Sequence, residues 1–305
     1  MNGFNNPNFI PEIVERQSIE IKNNIPIPTI SFFCSSWGQS VSFDEFCEMA
    51  VDAGFDGVET GIPADDKKSA ELIETLRKHN LTYIFQCNLS GEDFDEYLTA
   101  YRRELERAAE LKPVLINSHT GKDHFCRAKN EILIAAAESI SQSTGVCIVH
   151  ETHRGRFAFA AHVTREYLDR LPTLQLALDI SHWCVVHETL LEDQSEAVSL
   201  ALQRTAHIHA RVGHSQGPQV NDPRAPEWQQ NLQQHLIWWD FVVAQRQKQQ
   251  KRLTITTEFG PPNYLPTLPY TQQPLADQWQ INTYMLELLR SRYGRTSSRI
   301  NPSGV

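Results

Sequence analysis

The sequence predicts an α/β domain built as a (β/α)8 TIM barrel. Eight short, apolar and often β-branched runs alternate without interruption with eight longer stretches of helical character. The runs are apolar on both faces, as parallel strands covered by helices are. Strict alternation demands right-handed crossovers into one parallel sheet, and eight units across residues 29 to 290 match the ~250 residues of a closed barrel. The competing architecture is an open doubly wound sheet. Its glycine-rich first turn is missing, since the loop after the first strand reads Cys34-Ser35-Ser36-Trp37-Gly38.

Residues 1–25 read as a polar N-terminal extension, residues 26–292 as the single barrel, and residues 293–305 as a flexible C-terminal tail. The expected strands are Thr29–Phe33, Gly57–Thr60, Leu81–Gln86, Val114–Ser118, Val146–Glu151, Leu174–Asp179, His207–Val212 and Leu253–Glu258. The first helix, Phe43–Ala53, has a Ser/Asp start and stops at Gly54. Asp66–His79 and Asp93–Leu111 are long and amphipathic. Asn130–Ser141, Val163–Leu171, Glu192–Arg204, Pro226–Gln249 and Gln272–Arg290 complete the series. The long gap after strand seven holds Val212–Pro223, polar and rich in Gly and Pro. It is expected to be a lid or binding loop.

Composition narrows the function. Of 305 residues, 37 are Asp or Glu against 28 Lys or Arg, a formal charge of -9. An acidic surface repels phosphodiester backbones, so nucleic acid is not expected as a partner. No run approaches the ~18 apolar residues of a membrane span. Met1–Asn24 lacks the apolar core of a secretory signal. The six Cys are dispersed without a C-x-x-C pair. They read as small buried hydrophobes in a reducing compartment, and a cytoplasmic protein is expected.

Four strands close on a metal-capable residue: Glu151, Asp179, His209 and Glu258. Alternate residues of a barrel strand point inward. Parity puts Cys147, Val149 and Glu151 on one face of strand five, and Ala177 with Asp179 in strand six. It likewise groups His207, His209 and Arg211, and Thr254, Thr256 and Glu258. The other face, with Val146, Ile148, Leu176, Leu178, Leu253 and Ile255, turns to the helices. Three carboxylates and an imidazole would meet at one end of the barrel. Such a set suits one divalent cation, with Mn²⁺, Mg²⁺ or Co²⁺ favoured and Zn²⁺ also able to bind.

The chain resembles the xylose-isomerase-like TIM barrels, which include sugar phosphate isomerases and epimerases, inosose dehydratases and, more distantly, endonuclease IV. The resemblance covers about residues 29 to 290. It rests on Gly54-Phe55-Asp56-Gly57-Val58-Glu59, His150-Glu151-Thr152-His153, Asp179-Ile180-Ser181-His182, His207-Ile208-His209-Ala210-Arg211 and Thr257-Glu258-Phe259-Gly260. It implies that Glu151, Asp179, His209 and Glu258 bind the cation and that His182 and Arg211 contact substrate oxygens. The endonuclease IV pattern departs here: strand three ends near Gln86 where a His is wanted, and no Asp-x-His follows strand seven.

A polyhydroxylated ketone can chelate such a cation, which makes its α-proton acidic and stabilises an enediolate. Glu151 and Glu258 are the expected catalytic acid/base pair. Return of the proton to the opposite face gives an epimer, delivery to the neighbouring carbon gives an aldose–ketose isomer, and expulsion of a β-hydroxyl gives a dehydratase or lyase. A metal-binding barrel without turnover is the non-enzymatic alternative.

Further candidates stand around this set. His119, closing strand four, is expected to touch substrate or water. His153 and Arg154, with Arg156, could grip a polar or anionic substrate group. Glu59 reads as a supporting carboxylate, and Trp37, Trp183 and Phe259 as an apolar wall or packing. Trp238-Trp239 reads as core or as the interface of a homo-oligomer.

Overall fold

The computed structural model describes residues 30–294; the extension at residues 1–25, Thr29 and tail residues 295–305 lie outside the described residues. Eight parallel strands pair in chain order, and the last closes on the first. They are β1 (Ile30–Ser35), β2 (Gly57–Gly61), β3 (Thr82–Cys87), β4 (Ile116–Ser118), β5 (Ile148–Glu151), β6 (Leu176–Leu178), β7 (Thr205–His209) and β8 (Leu253–Thr257). The helices between them are α1 (Phe43–Ala53), α2 (Asp66–Lys78), α3 (Phe94–Glu110), α4 (Arg127–Thr144), α5 (Ala161–Arg170), α6 (Ser181–His187), α7 (Ser195–Gln203), α8 (Gln229–Lys248) and α9 (Gln278–Tyr293).

Local chemistry sets the helix ends. Ser42 accepts from the Glu45 amide at the start of α1, and Asp93 accepts from the Asp95 and Glu96 amides at the start of α3. Gly54 ends α1 at φ +91°, a conformation that costs a residue with a Cβ. Gly57 serves a different need. A Cβ there would lie 2.4 Å from both the Thr82 carbonyl oxygen and Phe33 Cε1, so β1, β2 and β3 pack this closely only around a glycine.

The two faces of the sheet divide as alternation requires. Phe33, Ile84, Leu115, Val149, Ala177 and Ala206 form a separate apolar cluster inside the barrel. Val146, Ile148, Leu176, Leu178, Leu253 and Ile255 join the larger core under the helices. Trp238 and Trp239 are buried in that core, the first of the two readings of the pair. Cys126 and Cys147 are exposed, whereas the other four Cys are buried as expected.

Two differences from the sequence reading, in helix number and in the start of the last helix, have local causes, and the sheet carries one irregularity of its own. Nine α-helices are described rather than eight, because α6 forms within the segment that follows Asp179. The register between β6 and β7 skips Ala206, so Leu176 faces Thr205 and Ala177 faces His207. The last helix starts at Gln278 rather than Gln272, and Asp277 caps it by accepting from the Gln280 amide. No helix of the described residues is long and apolar enough to cross a membrane.

Candidate active site

The C-terminal ends of β5 to β8 bring the four expected ligands together. Glu151 is the last residue of β5 and His209 the last of β7, while Asp179 and Glu258 directly follow β6 and β8. All four are buried, and one donor atom from each lies within 4.8 Å of the others. His209 Nδ1 stands 2.8 Å from Glu258 Oε2 and 3.6 Å from Glu151 Oε2. This nitrogen nevertheless has no hydrogen-bond partner. Donors that crowd one another without bonding are aimed at a common point between them.

A second carboxylate fixes the ring. His209 Nε2 lies 3.0 Å from Glu59 Oε1, so Nε2 carries a proton and Nδ1 is turned to the cluster. Glu59 sits in β2 and is the hub of a buried network. It also accepts from Asn117 Nδ2 (3.0 Å), His207 Nε2 (3.1 Å) and Thr256 Oγ1 (2.5 Å). Burial opposes its ionisation, but the charges of His209 and His207 outweigh burial and hold its carboxyl well below the usual range. Asn117 reaches up as well, donating to Glu151 Oε2 at 2.6 Å.

Asp179 has two partners of its own. It accepts from the Ser181 amide and hydroxyl, capping the first turn of α6, and it pairs with Arg211 Nη2. The short helix then carries His182 back over the site. Arg211 Nη2 is 3.1 Å from His182 Nε2 and 3.4 Å from Glu258 Oε2, so one guanidinium ties β6, α6 and the segment after β8 together. His182 is fully buried and packs on His153, with ring centroids 3.9 Å apart. Burial and the nearby His153 and Arg211 hold His182 well below its ordinary value, in the neutral form.

The remaining candidates divide. His119 directly follows β4, with Nε2 2.7 Å from Glu151 Oε2, so it faces a cluster carboxylate. His153 joins it, with ring centroids 4.8 Å apart. Arg154 packs on Tyr264 at 5.0 Å from ring centre to guanidinium carbon. Arg156 is taken up by the scaffold: it donates to the carbonyls of Leu89 and Gly121 and to Asn88 Oδ1. Trp183 and Phe259 are core residues. Trp37 is partly exposed and meets Tyr264 edge-on at 4.9 Å. The expected lid is pinned. Gln219 and Gly260 exchange hydrogen bonds, and the Gly213 amide donates to His235 Nε2.

Two residues escaped the sequence reading. Asn117 lies one position before the noted Ser118-His119, on the inward parity of β4, and parity alone would have found it. Tyr264 sits in the aperiodic segment after β8, where it packs against Arg211 at 4.8 Å, and no periodic signal marks it.

The electrostatics suit a cation. Burial, opposed by Arg211 and reinforced by Glu258, lifts Asp179 to about 6. Burial disfavours a proton on His209, but Glu258, Glu59 and Glu151 together hold one there. The three carboxylates thus favour positive charge at this point. Three carboxylates and one imidazole can hold a divalent metal ion. Two overlapping triads share its members. Glu59, His207 and His209 are closed by their own hydrogen bonds, and His119 and His153 flank Glu151.

Residues 47–242 match the family described as Xylose isomerase-like TIM barrel. The chain belongs to this family. Among solved structures it is similar to the 3-keto-D-glucoside 4-epimerase of E. coli in its apo form, at 15% identity and a TM-score of 0.59, over 86% of this chain and 100% of that one. It is also similar to the probable 3-DHS dehydratase of Bacillus anthracis involved in petrobactin synthesis (14%, TM-score 0.56, 86% and 99%). A third is the sugar phosphate isomerase/epimerase of Parabacteroides distasonis (11%, TM-score 0.52, 86% and 99%). Likeness at such identity establishes a shared fold. No curated protein matches the chain.

Proposed function

We propose that this protein is a divalent-metal-dependent isomerase or epimerase acting on a small polyhydroxylated substrate. The observation that carries the reading is the position of two carboxylates. Glu151 and Glu258 come from β5 and from the end of β8, with β6 and β7 between them in the wall, and both approach His209 Nδ1. A cation held by Glu151, Asp179, His209 and Glu258 would supply Lewis acidity, polarising a substrate carbonyl and its adjacent hydroxyl.

The protein's own groups supply the proton chemistry. Glu151 Oε2 is held by Asn117 at 2.6 Å and faces His119 at 2.7 Å, so this carboxylate is oriented and constrained. Glu258 Oε1 has only a long contact with Gln86, at 3.5 Å, and is the freer base for removing an α-proton. His119 Nε2, 2.7 Å from Glu151 Oε2, is placed to relay a solvent proton to Glu151, which delivers it from the β5 side while the proton taken by Glu258 leaves to solvent, and a stereocentre is inverted. Delivery to the neighbouring carbon gives isomerisation. Expulsion of a β-hydroxyl gives the dehydratase outcome from the same first step. Arg211, permanently charged, and neutral His182 orient substrate oxygens, and Tyr264 and Trp37 cover the mouth.

The net charge of -9 supports a small-molecule substrate over nucleic acid, and dispersed free Cys, four of them buried, are in keeping with a reducing, cytoplasmic setting. The preferred ion in this reading is Mn²⁺, Mg²⁺ or Co²⁺. The test is solvent-deuterium wash-in over ketoses, inososes and sugar acids. Wild-type protein should label the α-carbon of at least one. Glu258→Gln should keep its fold and slow that exchange by at least ~100-fold, the usual contribution of a positioned base. Undiminished exchange in the variant would remove Glu258 from the mechanism.

A further inference from the structure

We infer that the mouth of this site holds an oxyanion of the substrate on Arg154, so that the substrate is a polyhydroxylated ketone with a carboxylate or phosphate away from its reacting carbons. The inference rests on the functional reading above and names the substrate class for that site.

Tyr264 is flanked by two guanidiniums, Arg211 at 4.8 Å and Arg154 at 5.0 Å. Their situations differ. The charge of Arg211 is met by Asp179 and Glu258. Arg154 lies three residues past Glu151 and is only partly buried. Among the described residues no carboxylate pairs with Arg154, and no hydrogen bond uses its side chain. The tyrosine ring supports the guanidinium while leaving its N–H donors unspent, and a guanidinium fork matches the two oxygens of a carboxylate or phosphate.

The loop that carries Arg154 is also held in place. The Arg154 carbonyl accepts from His153 Nδ1 at 2.5 Å, and Arg156 anchors the next turn to the carbonyls of Leu89 and Gly121. A cation on an anchored loop, beside the aromatic roof of the site and lacking an internal partner, is placed to read a charge that arrives with the substrate. Its neighbour Arg156 shows the contrast, since its donors are consumed by the scaffold.

The experiment uses Mn²⁺-loaded full-length protein and three probes that share one ketose end and differ at the sixth carbon: D-fructose, D-fructuronate and D-fructose 6-phosphate. Calorimetric titration should show at least one acidic probe binding ~10-fold or more tighter than fructose, and the stronger of the two identifies carboxylate or phosphate. Arg154→Gln should collapse that margin while Mn²⁺ affinity stays at the wild-type value, and Arg154→Lys should keep part of it. Equal affinities for all three probes, failure of both acidic probes to bind, or a margin that survives Arg154→Gln overturns the inference alone. A wild-type protein that takes up no Mn²⁺ in the loading step overturns the functional reading and this inference with it.

Discussion

Replacing Glu59 by Gln removes a charge from the buried hub with almost no change in volume. Oε1 of Glu59 faces His209 Nε2 and Asn117 Nδ2, each at 3.0 Å, and Oε2 faces His207 Nε2 and Thr256 Oγ1. A carboxamide has one acceptor oxygen, so one of these pairs must face an NH₂ group. The cheaper arrangement keeps the oxygen on His209. The Thr256 hydroxyl can then turn and accept. His207 can accept at Nε2 by carrying its proton on Nδ1, which has the Thr254 carbonyl 3.1 Å away. No donor is left orphaned, and the loss is mainly that of charge assistance, about 2 kcal/mol. In a domain of this size that is a fall of roughly 5 °C in Tm. The larger effect falls on the metal. With a neutral acceptor at Nε2, His209 Nδ1 becomes a poorer ligand, and Mn²⁺ affinity should drop ~10- to 100-fold. Thermal melts of chelated protein and Mn²⁺ calorimetry measure the two quantities separately. Mn²⁺ affinity within about twofold of wild type would mean that Glu59 does not set the His209 ring, against the expected range.

Two further outcomes concern the scaffold. His235 donates from Nδ1 to the Asn231 carbonyl and accepts at Nε2 from the Gly213 amide, and burial holds it down to about 4. Its folded value lies below its unfolded one, so its stabilising contribution is complete above pH ~6.5 and is lost as pH falls toward ~4, on the order of 3 kcal/mol in all. Denaturant midpoints across that interval should fall further for wild type than for His235→Gln; parallel curves would contradict the assignment. Gly57→Ala should destabilise by about 3 kcal/mol, the upper end of overpacking, because a backbone carbonyl of the paired strand blocks the new methyl. An unchanged unfolding midpoint would show that β1, β2 and β3 can separate to admit it.

Much of the fold was legible because alternation has few solutions. Eight both-face apolar runs between helices admit a closed barrel, and parity then sorted Val149 and Ala177 inward and Leu176, Leu178, Leu253 and Ile255 outward, as the two clusters show. The same parity brought Glu151, Asp179, His209 and Glu258 to one point. What failed was local and aperiodic. Helix α6 is only seven residues long, and its first turn is stabilised by Asp179, a residue already read as a ligand. The run His207–Val212 is apolar enough to continue as strand, yet β7 ends at His209, and the Val212 carbonyl turns to accept from Val220. Arg156 looked like Arg154 in sequence, and only the approach of the loops after β3 and β4 separates anchor from free cation. Tyr264 lies where no period exists to announce it.

The claim beneath the functional account is that four side chains from separate strands hold one cation. The direct measurement is Mn²⁺ binding by calorimetry with elemental analysis, on wild type and on Asp179→Asn with His209→Gln. The account predicts one saturable Mn²⁺ per chain in the wild type, lost in the double variant while the barrel stays folded. A wild-type protein that binds none, or a variant that keeps the wild-type stoichiometry and affinity, would contradict it.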